Sequence, residues 1–140
     1  MVNVVFLYGV LARPAQDVVL PSGSRLLSLE VTVRRPDGPA EPVPVQWPDA
    51  PAFASGLDAG TEVAVLGRVR RRFFRAGGLT QSRTEVVATK VVRASAKRRV
   101  AALLEEAVAV LSGADFGRDA GMSTPPPRVE RPGPAPRRRA

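Results

Sequence analysis

Arg68, Arg70, Arg72 and Phe74 take every second position of the run Gly67-Arg68-Val69-Arg70-Arg71-Arg72-Phe73-Phe74-Arg75, while Val63, Val65 and Val69 hold the opposite parity. Side chains of a β-strand alternate between its two faces. A regular strand here turns one face to a core and offers three guanidinium groups and a ring on the other. Guanidinium groups pair with phosphates and lie flat on rings, and a phenyl ring can stack on a base. A surface for single-stranded nucleic acid needs that combination. A solvated edge strand, with Arg for solubility and Phe74 tucked against a neighbour, fits the same residues. Phe73 falls on the core parity and belongs to the core unless a bulge turns it outward.

The net charge of +8 over 140 residues comes almost wholly from Arg, since Lys90 and Lys97 are the only lysines. A basic surplus favours polyanionic partners without separating nucleic acid from acidic lipid. The chain has no Cys and no His, which excludes thiolate and imidazole metal sites, Cys nucleophiles and His-based acid–base chemistry. Glu85 and Asp58 stand isolated, so no carboxylate pair with acid–base spacing can be argued. Gly77-Gly78 opens no helix, as a phosphate-binding loop would. The expectation is a protein that is not an enzyme and uses no cofactor, metal or small-molecule substrate. No run of ~18 apolar residues occurs, and the N-terminus lacks the basic start and cleavage site of a secretory signal. A cytoplasmic protein without a membrane partner is expected, and the lack of Cys fits a reducing compartment.

The elements that must position the Arg-Phe strand lie in residues 1–93, which read as β structure. Val2 to Leu11 is apolar at both parities, as in a strand with both faces covered, one by the core and one by a partner subunit. After the turn Pro21-Ser22-Gly23-Ser24, Leu27, Leu29, Val31 and Val33 alternate with Ser28, Glu30, Thr32 and Arg34, the cleanest strand pattern in the chain. Pro42 to Trp47 is short, and its prolines make it an edge strand at best. Pro48 to Gly60 holds about one helical turn, around residues 52–57. Thr61 to Phe74 is the Arg-bearing strand, Ala76-Gly77-Gly78 a hairpin loop, and Thr80 to Arg93 the last strand. The fold class is therefore mainly β, a five-stranded Greek-key barrel followed by one helix.

Residues 95–112 carry that helix, with Val100, Leu103, Leu104, Ala107, Val108 and Leu111 on one face. Ser95 is the expected N-cap and Gly113 the expected C′ residue. Residues 113–140 hold six Pro, four Gly and six Arg with almost no large apolar side chains, and such a segment is expected to be a disordered tail. Its Arg137-Arg138-Arg139 end would strengthen phosphate binding without specificity.

Four stretches together resemble the bacterial single-stranded DNA-binding protein family. Asn3-Val4-Val5-Phe6-Leu7-Tyr8-Gly9-Val10-Leu11 with Arg13-Pro14, then Leu20-Pro21-Ser22-Gly23-Ser24, is similar to the opening of that family. Gly60 to Arg70 is similar to its fourth strand, and Thr84-Glu85-Val86-Val87-Ala88 matches its last-strand signature. The resemblance spans about residues 2–93. It implies an OB-fold domain over 1–93 that coats single-stranded DNA with little sequence preference and usually assembles as a homotetramer, while the two apolar faces of the first strand call for a homo-oligomer that is a dimer or such a tetramer. It also implies roles in DNA replication, repair and recombination.

Carried over to this sequence, the resemblance puts a base-stacking aromatic at Phe74. Arg34 and Arg35 stand where another stacker lies near the end of the second strand. Trp47 lies beside the third-strand stacking position, which Gln46 occupies. The expected nucleic-acid-binding residues are Arg34, Arg35, Trp47, Arg68, Arg70, Arg72 and Phe74. Two features depart from the family. Its tail ends in an acidic recruiting peptide, whereas this chain ends in three arginines and Ala140, and the helix at 95–112 has no counterpart in it. A second reading stays open, in which an OB-fold adaptor acts mainly through protein contacts of that helix. RNA also suits a stacking platform, which does not read the sugar.

Overall fold

In a computed structural model that describes residues 1–113, the chain runs through β1 (Val5–Leu11), β2 (Gln16–Val19), β3 (Arg25–Val33), β4 (Glu41–Pro48), a 3-10 turn (Ala52–Gly56), β5 (Glu62–Ala76), β6 (Leu79–Arg93) and the helix α1 (Lys97–Ser112). The sheet order is β1-β5-β6-β4-β3-β2, and an extra pairing of β1 with β3 closes it into a ring. Five strands make the ring, with a single parallel contact between β4 and β6. The result is a mainly β, OB-like barrel with one C-terminal helix, as the sequence predicts. The predicted disordered tail lies outside the described residues. Among those described, no helix is long and apolar enough to cross a membrane.

The sixth strand, β2, is an addition to the expected five. It takes up the edge of β3 where β1 leaves off: Leu11 pairs with Val31, and Gln16 with Ser28. The two segments act as one strand bent at residues 12–15. All four β2 residues are exposed, so no alternation announced it. Gly9 stands at the bend's approach, where a Cβ would come within 2.4 Å of the Thr32 carbonyl oxygen.

Inside the ring, Leu27, Leu29 and Val31 of β3 meet Val45 and Trp47 of β4, Val63 and Val65 of β5, and Val86 and Val91 of β6. The prediction of β4 as an edge strand does not hold. It pairs with β3 from Leu26↔Pro48 to Val33↔Glu41, and with β6 at Val45↔Val86 and Gln46↔Val87. Pro42, Pro44 and Pro48 share one parity, so the donors they lack fall on one side of the strand, and the contact with β6 is correspondingly short.

A second, smaller core forms outside the ring. Leu103 and Ala107 of α1 are buried against Ala64 and Leu66 of β5, with Val4, Phe6, Val92 and Val100 packed around them. The helix of the same chain therefore covers part of the outer face of β1 that the sequence assigns to a partner subunit. Leu104, Val108 and Leu111, expected in the buried stripe, are exposed. The docked face is centred one residue away, on Val100, Leu103 and Ala107. The helix starts after Ala96 rather than at Ser95, with no side-chain cap, and Gly113 closes it at a right-handed φ of −81°. With Lys97, Arg98 and Arg99 opposing the dipole, docking rather than capping holds this helix in place.

One irregularity aims the arginine-bearing strand β5. Leu66 pairs with Lys90 but Gly67 pairs with Ala88, so Thr89 is an extra residue in β6. Such a bulge bends and twists the ribbon. A Cβ at Gly67 would lie 2.3 Å from the Val87 carbonyl oxygen, so the bulge needs a glycine opposite it. Beyond this point β5 and β6 outrun the barrel as a two-stranded arm, closed by Gly77 and Gly78 at φ of 60° and 78°. Positive φ at both central residues is what a two-residue type I′ hairpin requires.

Candidate nucleic-acid interface

The arm presents its residues in cross-strand pairs. Arg70 lies opposite Glu85, Arg72 opposite Arg83, and Phe74 opposite Gln81, and these six share one face. The other face carries Val69, Arg71, Phe73 and Arg75, opposite Val86, Thr84, Ser82 and Thr80. From Arg68 to Glu85 the arm holds six arginines and one acid. Two guanidinium groups sit over rings: Arg72 is 5.5 Å from the Phe74 centroid and Arg71 is 5.3 Å from that of Phe73. Both distances lie within the ~6 Å reach of a cation–π contact.

Phe73 and Val69 do not pack in the core, contrary to their parity. Phe73 is 64% exposed. The parity itself holds: Val69 lies at the rim, opposite the buried Val86, and by Phe73 the two strands have outrun the barrel, so among the described residues nothing covers that ring. Phe74 is 36% exposed on the opposite face, where the resemblance places a stacking ring.

Arg70 and Arg72 are less free than the sequence suggests. Arg70 Nη2 donates to Glu85 Oε1 at 2.7 Å, and Arg72 Nε stands 3.5 Å from the same oxygen. Glu85 is 1% exposed. Its second oxygen and Arg70 Nε are buried with no hydrogen-bond partner among the described residues. One carboxylate thus holds two guanidinium groups at the root of the arm and offsets part of their charge. Arg68 is exposed and has no ion pair among the described residues.

Beside this face lies the outward surface of β3 and β4. A concavity between them and the arm is lined by Leu26, Gln46, Pro48, Arg70 and Arg72. A second is lined by Gln16, Ser28, Glu30, Pro44 and Arg83. Gln46 Nε2 and Ser28 Oγ, 3.5 Å apart, link the two. The trough runs across the β3–β4 surface and under the arm, which in OB folds is the face that takes oligonucleotides.

Trp47 is not on that surface. It is 4% exposed and turned into the barrel, edge-on to Phe53 with centroids 6.4 Å apart. Val43, Val45 and Trp47 share a parity, so Gln46 is the residue β4 shows to the trough. The expected contact of Trp47 with a base is corrected accordingly. Arg34 is exposed just after β3. Arg35 bends back to Glu41 at 3.0 Å and Asp37 at 3.7 Å, closing its own loop. Neither reaches the trough lining, whereas Arg68, Arg70, Arg72 and Phe74 are brought together on or beside the arm.

Arg83, Gln46 and Asn3 were not among the expected site residues. Arg83 could have been found by counting outward from the Gly77-Gly78 turn, which sets Arg72 against it. Asn3 could not. Its side chain donates Nδ2 to the Val69 carbonyl and accepts the Val69 N–H on Oδ1, both at 2.8 Å. It continues the β1–β5 ladder past Val5↔Gly67 and pins the base of the arm. No family model matches the chain, and no curated protein matches it significantly.

Proposed function

We propose that this protein binds single-stranded DNA with little sequence preference, laying the strand along the β3–β4 trough and under the arm. The observation that carries this reading is the Arg72–Phe74 pair, exposed on an arginine-rich arm that walls a polar trough. Arg68, Arg72 and Arg83 meet phosphates, Phe74 stacks on a base, and Gln46 and Ser28 offer adaptable hydrogen bonds. Among the described residues the trough floor carries no aromatic side chain, so stacking is confined to the arm and charge dominates the affinity. Base–aromatic stacking is worth roughly 1–3 kcal/mol per base, and a site with one such ring depends correspondingly on salt. Replication, repair and recombination in the cytoplasm are the setting that suits such a coat.

The test is fluorescence anisotropy of labelled oligo-dT, with duplex DNA and RNA of equal length, over a salt series. Tighter binding of oligo-dT than of duplex, weakened by Phe74→Ala, supports the proposal. Equal affinity for duplex and single strand, indifferent to Phe74→Ala, would leave only unspecific charge attraction.

A second reading is favoured by one observation, the exposed stripe Leu104, Val108 and Leu111 on α1. These residues lie at i, i+4 and i+7 beside the docked face. In this reading the barrel is a scaffold and α1 its protein-binding element. Within the first reading the same stripe joins copies of the chain into a dimer or tetramer.

A further inference from the structure

The reverse face of the arm repeats the chemistry of the front. Arg71 lies over Phe73 just as Arg72 lies over Phe74, and both pairs are formed by residues two apart on β5. Arg75 follows on the reverse face. Across the ribbon this face shows Thr80, Ser82 and Thr84, with Arg71 Nη2 donating to Ser82 Oγ at 3.1 Å. Among the described residues it carries two cations, hydroxyl groups, an open ring and no acid. On the front, by contrast, Glu85 already occupies Arg70 and Arg72.

We propose that the Arg71–Phe73–Arg75 face is a second, separate contact for single-stranded nucleic acid, so that one chain holds two segments at once, one on each face of the arm. The inference rests on the proposed function of the front face. Beyond Arg70 the arm is a two-stranded ribbon, because β1 stops at Val5↔Gly67 and β4 meets β6 only around Val86 and Val87. Both faces are therefore reachable from solvent, and a strand leaving the trough can pass over the ribbon's edge. A polyanion is the occupant that the charge selects. A second copy would bring its own arginine-rich arm against this one, and like charges set face to face disfavour that docking. The two segments come either from one strand folded around the arm or from two strands bridged by it.

Native mass spectrometry of the full chain with oligo-dT of about eight nucleotides tests this, a length within the roughly 4–16 nucleotides of one OB fold. The expected result is two oligonucleotides per chain. Phe73→Ala should weaken the second binding event by roughly 5- to 150-fold, the range one stacked base represents, and leave the first unchanged. Phe74→Ala should do the reverse. Both rings are solvent-exposed, so melting should not move in either variant. With a donor-labelled and an acceptor-labelled oligonucleotide, energy transfer through one chain shows bridging. A longer strand that displaces both short ones at one per chain shows folding around the arm.

A single oligonucleotide per chain, weakened by Phe74→Ala and indifferent to Phe73→Ala, overturns the second contact while leaving the front site standing. Loss of the same event in both variants shows one site spanning the arm and also overturns it. A change of oligomeric mass in Phe73→Ala without a change in stoichiometry would assign this face to protein contact instead. No binding by the natural chain at low salt would remove both sites together.

Discussion

Arg70 and Glu85 form an ion pair across the hairpin ladder, 2.7 Å between Nη2 and Oε1, in which the acid is buried and the base reaches the surface. This asymmetry sets the arginine tied to a buried acid apart from others that look alike in sequence but have no such tie among the described residues. Removing one partner of a buried pair strands the other charge, at a cost of roughly 3–5 kcal/mol. Arg72 at 3.5 Å softens that cost here. Arg70→Ala should therefore lower the melting temperature clearly, whereas Arg68→Ala should change stability by no more than about 0.5 kcal/mol. Comparable small shifts in the two melts would show that Glu85 does not depend on Arg70.

The same pair redistributes the expected salt effect. Removing one guanidinium–phosphate interaction should flatten the slope of log K against log salt by about 0.7 for a single strand. Arg68→Ala and Arg83→Ala should each approach that value, since neither is tied to Glu85. Arg72→Ala should give less, because its guanidinium already faces a carboxylate. Glu85→Gln should steepen the slope by releasing both. Identical slopes across all four variants would mean that the arm's guanidinium groups do not meet phosphates.

Phe74→Ala should behave differently from any of these. Stacking involves no counterion release, so affinity should fall by roughly 1–3 kcal/mol while the salt slope stays where it was. Anisotropy titrations at two salt concentrations are enough to see it. A flattened slope would place Phe74 among the residues that merely orient Arg72.

How much of this was legible in the sequence depended on whether a feature was local. The alternation Leu27, Leu29, Val31 fixed β3 and its buried face, and the two glycines placed the hairpin, although Ala76, read as part of the loop, pairs with Leu79 and so shifts the register by one residue. The burial of Trp47 was missed although Val43, Val45 and Trp47 share a parity, because three prolines in β4 disguised a central strand as an edge. The exposure of Phe73 was not legible. Its parity is correct, and what exposes it is that β5 outruns its neighbour β1, a relation between two segments far apart in the chain. The Thr89 bulge and the Asn3–Val69 bonds are likewise properties of pairing, which period-two patterns do not contain. On α1, a broad apolar stripe allowed several docking angles, and the small Ala64 and Leu66 surface selected Leu103 and Ala107.

Gly67→Ala should destabilise the barrel at the bulge. Its Cβ would meet backbone atoms of Val87 and Ala88 at the bulge, and backbone cannot swing aside as a side chain can. Overpacking of this kind costs about 1–3 kcal/mol. Gly56→Ala, with nothing within 4 Å of the added carbon, is the matched control and should melt like the natural chain. If both variants melt alike, the ladder at Leu66 and Gly67 has more slack than its geometry implies.

The helix α1 offers two leucines, adjacent in sequence, with opposite fates. Leu103 is buried against β5 and Leu104 is exposed beside Val108 and Leu111. Leu103→Glu would place a carboxylate in the outer core, at a cost of several kcal/mol, and should undock the helix and lower the melting temperature. Leu104→Glu meets no such core and should leave the barrel's melting and its binding of oligo-dT intact. If copies of the chain assemble through the exposed stripe, the same substitution should reduce the mass found by light scattering at micromolar concentration from that of a dimer or tetramer to that of a monomer. Charge on both faces of a symmetric contact is counted twice, so a single change per chain is enough to break it. An unchanged oligomeric mass would hand the stripe to a different protein, and the adaptor reading of α1 would then be the better one.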